Sequence, residues 1–184
     1  RIDIFMVGEF DDYQVLQALH RFPLEGRQVD LQFSYSQPYV NVVKEKIEPR
    51  QSSQSILQLG YQFSCQYGDK DYFALIVFNA MFGEFAHSAL FTTLREKEGL
   101  AYSISSQFDI FTGLLEVYAG IEKSNRNQAM RGISRELNYI KLGRFSSSLL
   151  NQTKKIIRMN ALLSEDHALT LVEQRFNKVI FGDK

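Results

Sequence analysis

Residues 91–106 restrict the fold more than any other part of the chain, because a helix pattern passes into a strand pattern across one glycine. Leu90, Phe91 and Leu94 recur at the spacing of one helix face. Gly99 follows a charged run and is able to adopt the left-handed backbone conformation that ends a helix. The segment therefore predicts a helix and a strand that turns straight back from it.

The predicted strand alternates with period two, so its side chains separate onto two faces. We expect one face to hold Ala101, Ser103 and Ser105, and the other Tyr102, Ile104 and Ser106. Arg95 and Tyr102 then flank the corner, seven residues apart. A guanidinium and a phenol both donate hydrogen bonds at neutral pH, so this pair is suited to holding a carbonyl oxygen or a developing oxyanion. The same spacing also fits a solvated arginine at a helix end and a core tyrosine, so both interpretations stay open here.

Composition excludes several classes of protein. With 184 residues, 45% of them hydrophobic, the chain suits one globular domain with a substantial core. Lys plus Arg and Asp plus Glu both total 21, so no net positive field argues for binding nucleic acid or an anionic membrane. The most apolar run, residues 72–82, is too short to span a bilayer.

Isolated cysteine and histidine residues argue against a disulfide or a metal site. Cys65 is the only cysteine, which rules out an internal disulfide and favours a reducing, cytoplasmic setting. We expect its thiol to be packed rather than nucleophilic. His87 has no second metal ligand at a helical or hairpin spacing, so we expect it at the surface or in a helix cap.

The remaining patterns alternate between strands and helices. Strand patterns cover residues 2–7, 39–47, 56–63 and 114–121, and a Thr-Gly corner at 112–113 pairs the last of these with an antiparallel neighbour. Helix patterns follow the two aspartates at 11–12 and cover 72–82, 124–142, 146–163 and 165–180. Because residues 72–82 are apolar nearly all round, we expect them at the centre of the packing. The order is typical of an α+β domain, a mostly antiparallel sheet with helices packed on one face.

The signature at the corner resembles that of a known family. Leu-Arg-Glu-Lys-Glu-Gly-Leu-Ala-Tyr-Ser-Ile at 94–104, after Ser-Ala-Leu-Phe at 88–91, is similar to the insulinase, pitrilysin and mitochondrial-processing-peptidase family, in the domain that lacks the zinc site. Val-Gly-Glu-Phe-Asp at 7–11 resembles the start of that family's second domain. The likeness covers nearly the whole chain. It implies a metallopeptidase LuxS/processing-peptidase-like fold, in which residues 1–184 form a single non-catalytic domain. We expect this domain to be the C-terminal half of a longer chain, since the sequence starts at Arg1 rather than Met.

The resemblance also implies a function. Proteins of this family close homologous domains like a clamshell around an unfolded peptide, and the zinc-binding domain carries His-x-x-Glu-His. That motif is absent here, so we expect no catalytic residue, no metal ligand and no cofactor in this fragment. Zinc is expected in the partner domain if the intact protein is an active zinc metalloendopeptidase. Arg95 and Tyr102 match the spacing of the Arg and Tyr with which the family's second domain holds substrate.

Two partners follow from the resemblance: a homologous zinc-binding domain, in the same chain or another, and an extended peptide substrate. A dimer is compatible with it, whereas nucleic acid and membrane are not expected as partners. The alternative function is a structural or assembly subunit with no peptidase role. Ala89 departs from the Ser-Arg-Leu-Phe that often precedes the family's signature, which argues against full peptidase competence.

Overall fold

The computed structural model describes residues 2–23, 39–164 and 167–181. The strands are β1 (Ser55–Gln62), β2 (Ala101–Asp109) and β3 (Leu114–Ile121). The α-helices are α1 (Asp12–His20), α2 (Tyr72–Asn79), α3 (Arg126–Lys141), α4 (Ser147–Ser164) and α5 (Ala168–Phe181). Two further segments, Ala80–Glu84 and Phe91–Lys97, are π-helical, and Lys123–Asn125 forms a 3₁₀ turn. The expected helices between 124 and 163 correspond to α3 and α4.

The three strands form an antiparallel sheet in the order β1-β3-β2. β3 follows β2 through a tight hairpin, in which Gly113 has a φ of 66° and its N–H donates to the Asp109 carbonyl at 2.9 Å. Glycine adopts this left-handed conformation without a steric penalty. The antiparallel pairing predicted from the Thr-Gly corner is therefore confirmed.

The core lies on one face of the sheet. Leu57, Ile104 and Val117, one from each strand, are at most 8% exposed. The same cluster contains Phe82 and Leu94 from the two π-helical segments, and Ala129 and Ile133 from α3. On the opposite face, the side chains of Gln58, Ser105 and Glu116 are exposed or half-buried. The sheet therefore carries its helices on one face, and the α+β prediction is confirmed.

The corner that links the second π-helical segment to β2 forms as the sequence predicts. Leu94 is fully buried, and Gly99 has a φ of +62°. The N–H of Glu98 donates to the Thr93 carbonyl at 2.9 Å, and the N–H of Leu100 donates to the Leu94 carbonyl at 2.8 Å. The first of these bonds spans five residues, which makes the segment π-helical rather than α-helical. The spacing of apolar residues did not distinguish a π-helix from an α-helix, because either conformation places Leu90 and Leu94 toward the core.

The predicted alternation along β2 is wrong at its first residues. Ala101 is opposite Ile121 and Ser103 is opposite Gly120, so Tyr102 is an extra residue with no partner on β3. Such a β-bulge shifts all later side chains by one position. Ala101, Ile104 and Ser106 are buried, whereas Tyr102, Ser103 and Ser105 are exposed. The bulge thus places Tyr102 on the face opposite the core, with the two serines.

The apolar run at 72–82 is buried only in its second half. Ala80, Met81 and Phe82 are at most 2% exposed, as the pattern predicts, but Phe73 on α2 is 74% exposed. The run changes from α-helix to π-helix after Asn79. The sequence pattern showed no polar face, but the contacts of the fold cover only the part of the run nearest the sheet.

Two strands expected from alternation are not formed. Within the described part of the chain, residues 2–7 and 39–47 have no strand conformation. Their apolar side chains are largely exposed: Ile2 is 64%, Val43 95% and Ile47 74% exposed. A strand forms only where its backbone pairs with a neighbour and one of its faces is covered, and alternation in the sequence provides neither.

The chain divides into two compact units, residues 35–158 and a unit of 1–34 with 159–184. The larger unit contains the sheet, α2, α3, both π-helical segments and most of α4. In the smaller unit, the Asp11 carboxylate accepts a hydrogen bond from the Tyr13 N–H at 2.9 Å and caps α1, as the acidic start predicts. The rings of Phe5 and Phe176 meet edge to face, with centroids 6.1 Å apart. The expected helix at 165–180 is confirmed from 168 onward as α5, while residues 165 and 166 lie outside the described residues.

Candidate functional site

Arg95 lies on the second π-helical segment with its side chain exposed. Its guanidinium carbon is 4.6 Å from the centroid of the Phe91 ring, a cation–π distance. Within the described part of the chain, the guanidinium has no hydrogen-bond or ion-pair partner. The ring therefore supports the Arg95 side chain, which remains exposed.

Tyr102 follows Arg95 by seven residues and lies at the β-bulge of β2. Its side chain is 56% exposed, which is unusual for a tyrosine inside a strand. Its hydroxyl has no hydrogen-bond partner among the residues at 2–23, 39–164 and 167–181. The structure thus excludes the interpretation of Tyr102 as a core residue. Both predicted site residues are exposed donors that flank the Gly99 corner.

The acidic neighbour of this corner is held by α3. Glu98 accepts an ion-pair hydrogen bond from Arg135 at 2.6 Å, and Arg135 also donates to Glu136 at 3.0 Å. The hydrogen bond that Arg135 donates to Glu136 is the main cause that raises the pKa of Arg135, with a smaller contribution from Glu98. Because Glu98 is paired with α3, it does not neutralise Arg95 at the end of the same segment.

A buried polar contact joins the last residue of α2 to β2. The Ser106 hydroxyl donates to the Asn79 amide oxygen at 2.7 Å, and the Asn79 amide nitrogen donates to Glu84 at 3.0 Å. Ser106 is 4% and Asn79 3% exposed. A Cβ at Gly83 would lie 2.5 Å from the Ser106 hydroxyl oxygen, so only glycine permits this approach. Sequence reasoning missed the contact, although Asn79 is the one polar residue inside the apolar run.

A second polar cluster lies on the exposed face of the sheet, centred on Glu116 of β3. Its carboxylate accepts hydrogen bonds from the side-chain amides of Gln58 on β1 at 3.1 Å and Gln107 on β2 at 3.3 Å. The Tyr118 hydroxyl donates to the same carboxylate at 3.3 Å. Partial burial, and then the charge of Glu116, raise the pKa of Tyr118. Sequence reasoning missed this cluster, although Glu116 is the one charged residue in an otherwise apolar strand.

His87 is neither a surface residue nor a helix cap. Its ring is half-buried, stacks on Phe85 with centroids 5.5 Å apart, and its Nε2 lies 2.9 Å from the Thr153 hydroxyl of α4. Burial lowers the pKa of His87. Within the described ranges, no three His, Cys, Asp or Glu residues are grouped so as to hold a metal ion.

Cys65 is packed, as its aromatic neighbours in the sequence suggested. It is 8% exposed, and burial is the main cause that raises the pKa of its thiol, followed by the charges of Asp69 and Asp71. A thiol with a raised pKa is a poor nucleophile at neutral pH. Of the helices that the structure describes, none has both the length and the apolar character needed to cross a bilayer.

Comparison with known proteins identifies the family to which this fold belongs. A family model described as the peptidase M16 inactive domain matches residues 1–157. The chain belongs to this peptidase M16 family, in its inactive domain. The resemblance inferred from the corner signature is therefore confirmed. The description of the domain as inactive agrees with the expectation that this fragment is not catalytic and has no zinc ligand of its own.

Individual relatives give the same result. The chain is 38% identical over 174 residues to a protein of Bacillus subtilis (strain 168) named probable inactive metalloprotease YmfF. It also superposes on the crystal structure of a conserved protein from Enterococcus faecalis V583, with a TM-score of 0.87, 37% identity and 95% of this chain covered. A protease from Helicobacter pylori shares the fold, with a TM-score of 0.65 at 19% identity over 71% of this chain, which is 32% of the protease.

The chain is much shorter than its relatives. It spans 41% of the length of the Bacillus protein and 41% of the Enterococcus chain. M16 inactive domains pair with other homologous domains in peptidases. What the whole protein does is therefore a separate question from what this domain contributes.

Proposed function

We propose that this domain supplies peptide-substrate contacts to a clamshell chamber that a homologous zinc-bearing domain completes. Arg95 and Tyr102 are the contacts. The observation that carries the proposal is their shared exposure: both lie beside the Gly99 corner, and neither donor group has a hydrogen-bond partner within the described ranges. Exposed donors without a protein partner can exchange bound water for the carbonyl oxygens of a ligand.

The chemistry of the pair suits an extended polypeptide. Backbone carbonyl oxygens of a peptide accept hydrogen bonds, and a guanidinium and a phenol both donate them. The Phe91 ring holds the Arg95 guanidinium at 4.6 Å, which reduces the entropy that Arg95 loses on binding, and the bulge places the Tyr102 side chain on the face away from the core. No residue of this chain is assigned to zinc, and peptide hydrolysis belongs to the partner domain. A reducing, cytoplasmic setting is part of the proposal, since the buried Cys65 thiol is compatible with it.

The test uses the intact protein with Arg95→Ala and Tyr102→Phe. We expect each variant to bind a fluorescein-labelled extended peptide about fivefold or more weakly, since each loses about 1 kcal/mol of hydrogen bonding. Turnover of the same peptide should fall in parallel if the intact protein cleaves it. Arg144→Ala and Tyr139→Phe are matched controls, because both residues are exposed on or after α3 and lie outside the corner. Wild-type affinity in both corner variants would refute the proposed role.

A structural or assembly function is the second candidate. The name of the Bacillus relative, a probable inactive metalloprotease, favours it. On this hypothesis the domain assembles with its partner but binds no peptide. Size-exclusion chromatography of the Arg95→Ala and Tyr102→Phe variants would then show unchanged assembly, together with no measurable peptide binding by the wild-type protein.

A further inference from the structure

The three strands carry an unusual distribution of charge. Their only charged residues are Asp109 and Glu116, and none of the three contains Lys, Arg or His. The chain as a whole has equal numbers of acidic and basic residues, 21 of each, so the imbalance is local to the sheet. Asp109 is engaged in the hairpin, where its carboxylate accepts bonds from the Phe111 N–H and the Thr112 hydroxyl. Glu116 is the acidic group that remains available on the exposed face.

The hydrogen bonds of Glu116 orient its carboxylate without neutralising it. Gln58, Gln107 and Tyr118 all donate to it, and all three are uncharged. Among the residues that the structure describes, Glu116 forms no ion pair. The three donors therefore fix the position of the Glu116 carboxylate at the centre of the middle strand.

The surroundings of Glu116 leave room for a ligand. In the cross-strand rows, Glu116 lies between Gly60 and Gln107, and Tyr118 lies between Gln58 and Ser105. Gly120 follows on β3, opposite Ser103. Gly60 and the small side chains of Ser103 and Ser105 keep the part of the face beside Glu116 and Tyr118 low, whereas Ile56, the β1 neighbour of Gly120, is 80% exposed and apolar.

The distance between Tyr102 and Glu116 along the sheet determines which residues of one peptide can contact both. Both lie on the exposed face, and Gln107, the cross-strand neighbour of Glu116, follows Tyr102 by five residues on β2. Five residues of strand span about 17 Å. An extended peptide that contacts Tyr102 through a carbonyl oxygen therefore reaches Glu116 with a side chain about five residues away.

We infer that Glu116, held by Gln58, Gln107 and Tyr118, recognises a basic side chain, lysine or arginine, of an extended polypeptide that lies across the exposed face of the sheet. The inference rests on the proposed function and narrows its substrate class to peptides with a cationic residue at this distance from the Tyr102 contact. Charge complementarity selects this occupant, because the face offers an oriented anion and no competing cation within the described strands.

The experiment measures fluorescence anisotropy of the intact protein with labelled extended peptides of one neutral sequence that differ at a single residue, lysine or Nε-acetyl-lysine. We expect the lysine peptide to bind about two- to fivefold more tightly, as for a partly exposed ion pair. The preference should shrink when the salt concentration is raised, because the pair is screened. Glu116→Gln should abolish the preference, whereas Glu173→Gln, the same charge change on α5, should leave it intact.

A second measurement needs no substitution. At equal saturation, the side-chain amide NMR signals of Gln58 and Gln107 should shift further with the lysine peptide than with the acetylated peptide, because only the lysine ammonium pairs with the carboxylate that these amides contact. Equal affinity for the two peptides, or a preference that survives Glu116→Gln, would overturn this inference and leave the proposed function standing. Failure of every peptide to bind the wild-type protein would overturn both.

Discussion

Gly83→Ala is expected to destabilise the protein strongly, because it inserts a methyl group between the first π-helical segment and β2. The new Cβ would lie 2.5 Å from the Ser106 hydroxyl oxygen and 2.8 Å from the Ser106 backbone nitrogen. The second atom is the more serious obstacle, since a side chain can rotate away but the backbone of β2, which is paired with β3, cannot. Either the segment or β2 must therefore move.

The expected loss has two sources. Forcing extra volume into a packed core costs about 1–3 kcal/mol. Displacing the Ser106 hydroxyl also breaks its 2.7 Å bond to Asn79, and leaving a buried polar group without a partner costs about 1–3 kcal/mol. The steric cost and the hydrogen-bond cost overlap, because a single movement of β2 away from the segment reduces both. We therefore expect a loss of about 2–4 kcal/mol in the free energy of unfolding. For a chain of this length, that is a fall of about 5–15 °C in Tm.

Urea unfolding followed by circular dichroism measures the loss, with Gly60→Ala as the matched control. A Cβ at Gly60 meets only the end of the Leu114 side chain, at 3.2 Å, and that side chain is able to rotate. The control should change stability by less than about 1 kcal/mol. Ser106→Gly in the Gly83→Ala background should restore part of the stability, because it removes the hydroxyl but not the backbone nitrogen. A loss in Gly83→Ala no larger than that in Gly60→Ala would refute the close-packing argument.

Two further predictions concern buried side chains. Leu94→Ala should lower the free energy of unfolding by about 2–5 kcal/mol, as for other fully buried leucines, and urea unfolding would show it; a loss below that range would mean that the corner collapses to fill the cavity. Since burial lowers the pKa of His87, the folded state resists protonating it, so stability should fall as the pH drops from about 6.5 toward the lowered pKa. His87→Gln should flatten this part of the urea-midpoint profile against pH, and an unchanged profile would contradict the assignment.

Local patterns in the sequence were enough to predict much of the fold. The hairpin at Gly113, the Gly99 corner, and helices α1, α3 and α4 all depend on interactions within a few residues, namely turns, caps and apolar spacing. The family signature at 94–104 adds the identity of the domain, and with it the choice of Arg95 and Tyr102. Their role in binding peptide stays a prediction.

Features that depend on distant parts of the chain could not be predicted. The bulge at Tyr102 reflects how β2 registers against β3, and the exposure of residues 2–7 and 39–47 reflects which neighbours cover them. The Asn79–Ser106 bond joins residues 27 positions apart, and Glu116 meets Gln58 across 58 positions. By itself, the sequence determined where the chain turns and which faces of its helices are hydrophobic. Only the tertiary structure decided which face Tyr102 occupies and which donors surround Glu116, because pairing between strands, unlike a local turn, is set by the packing of the whole core.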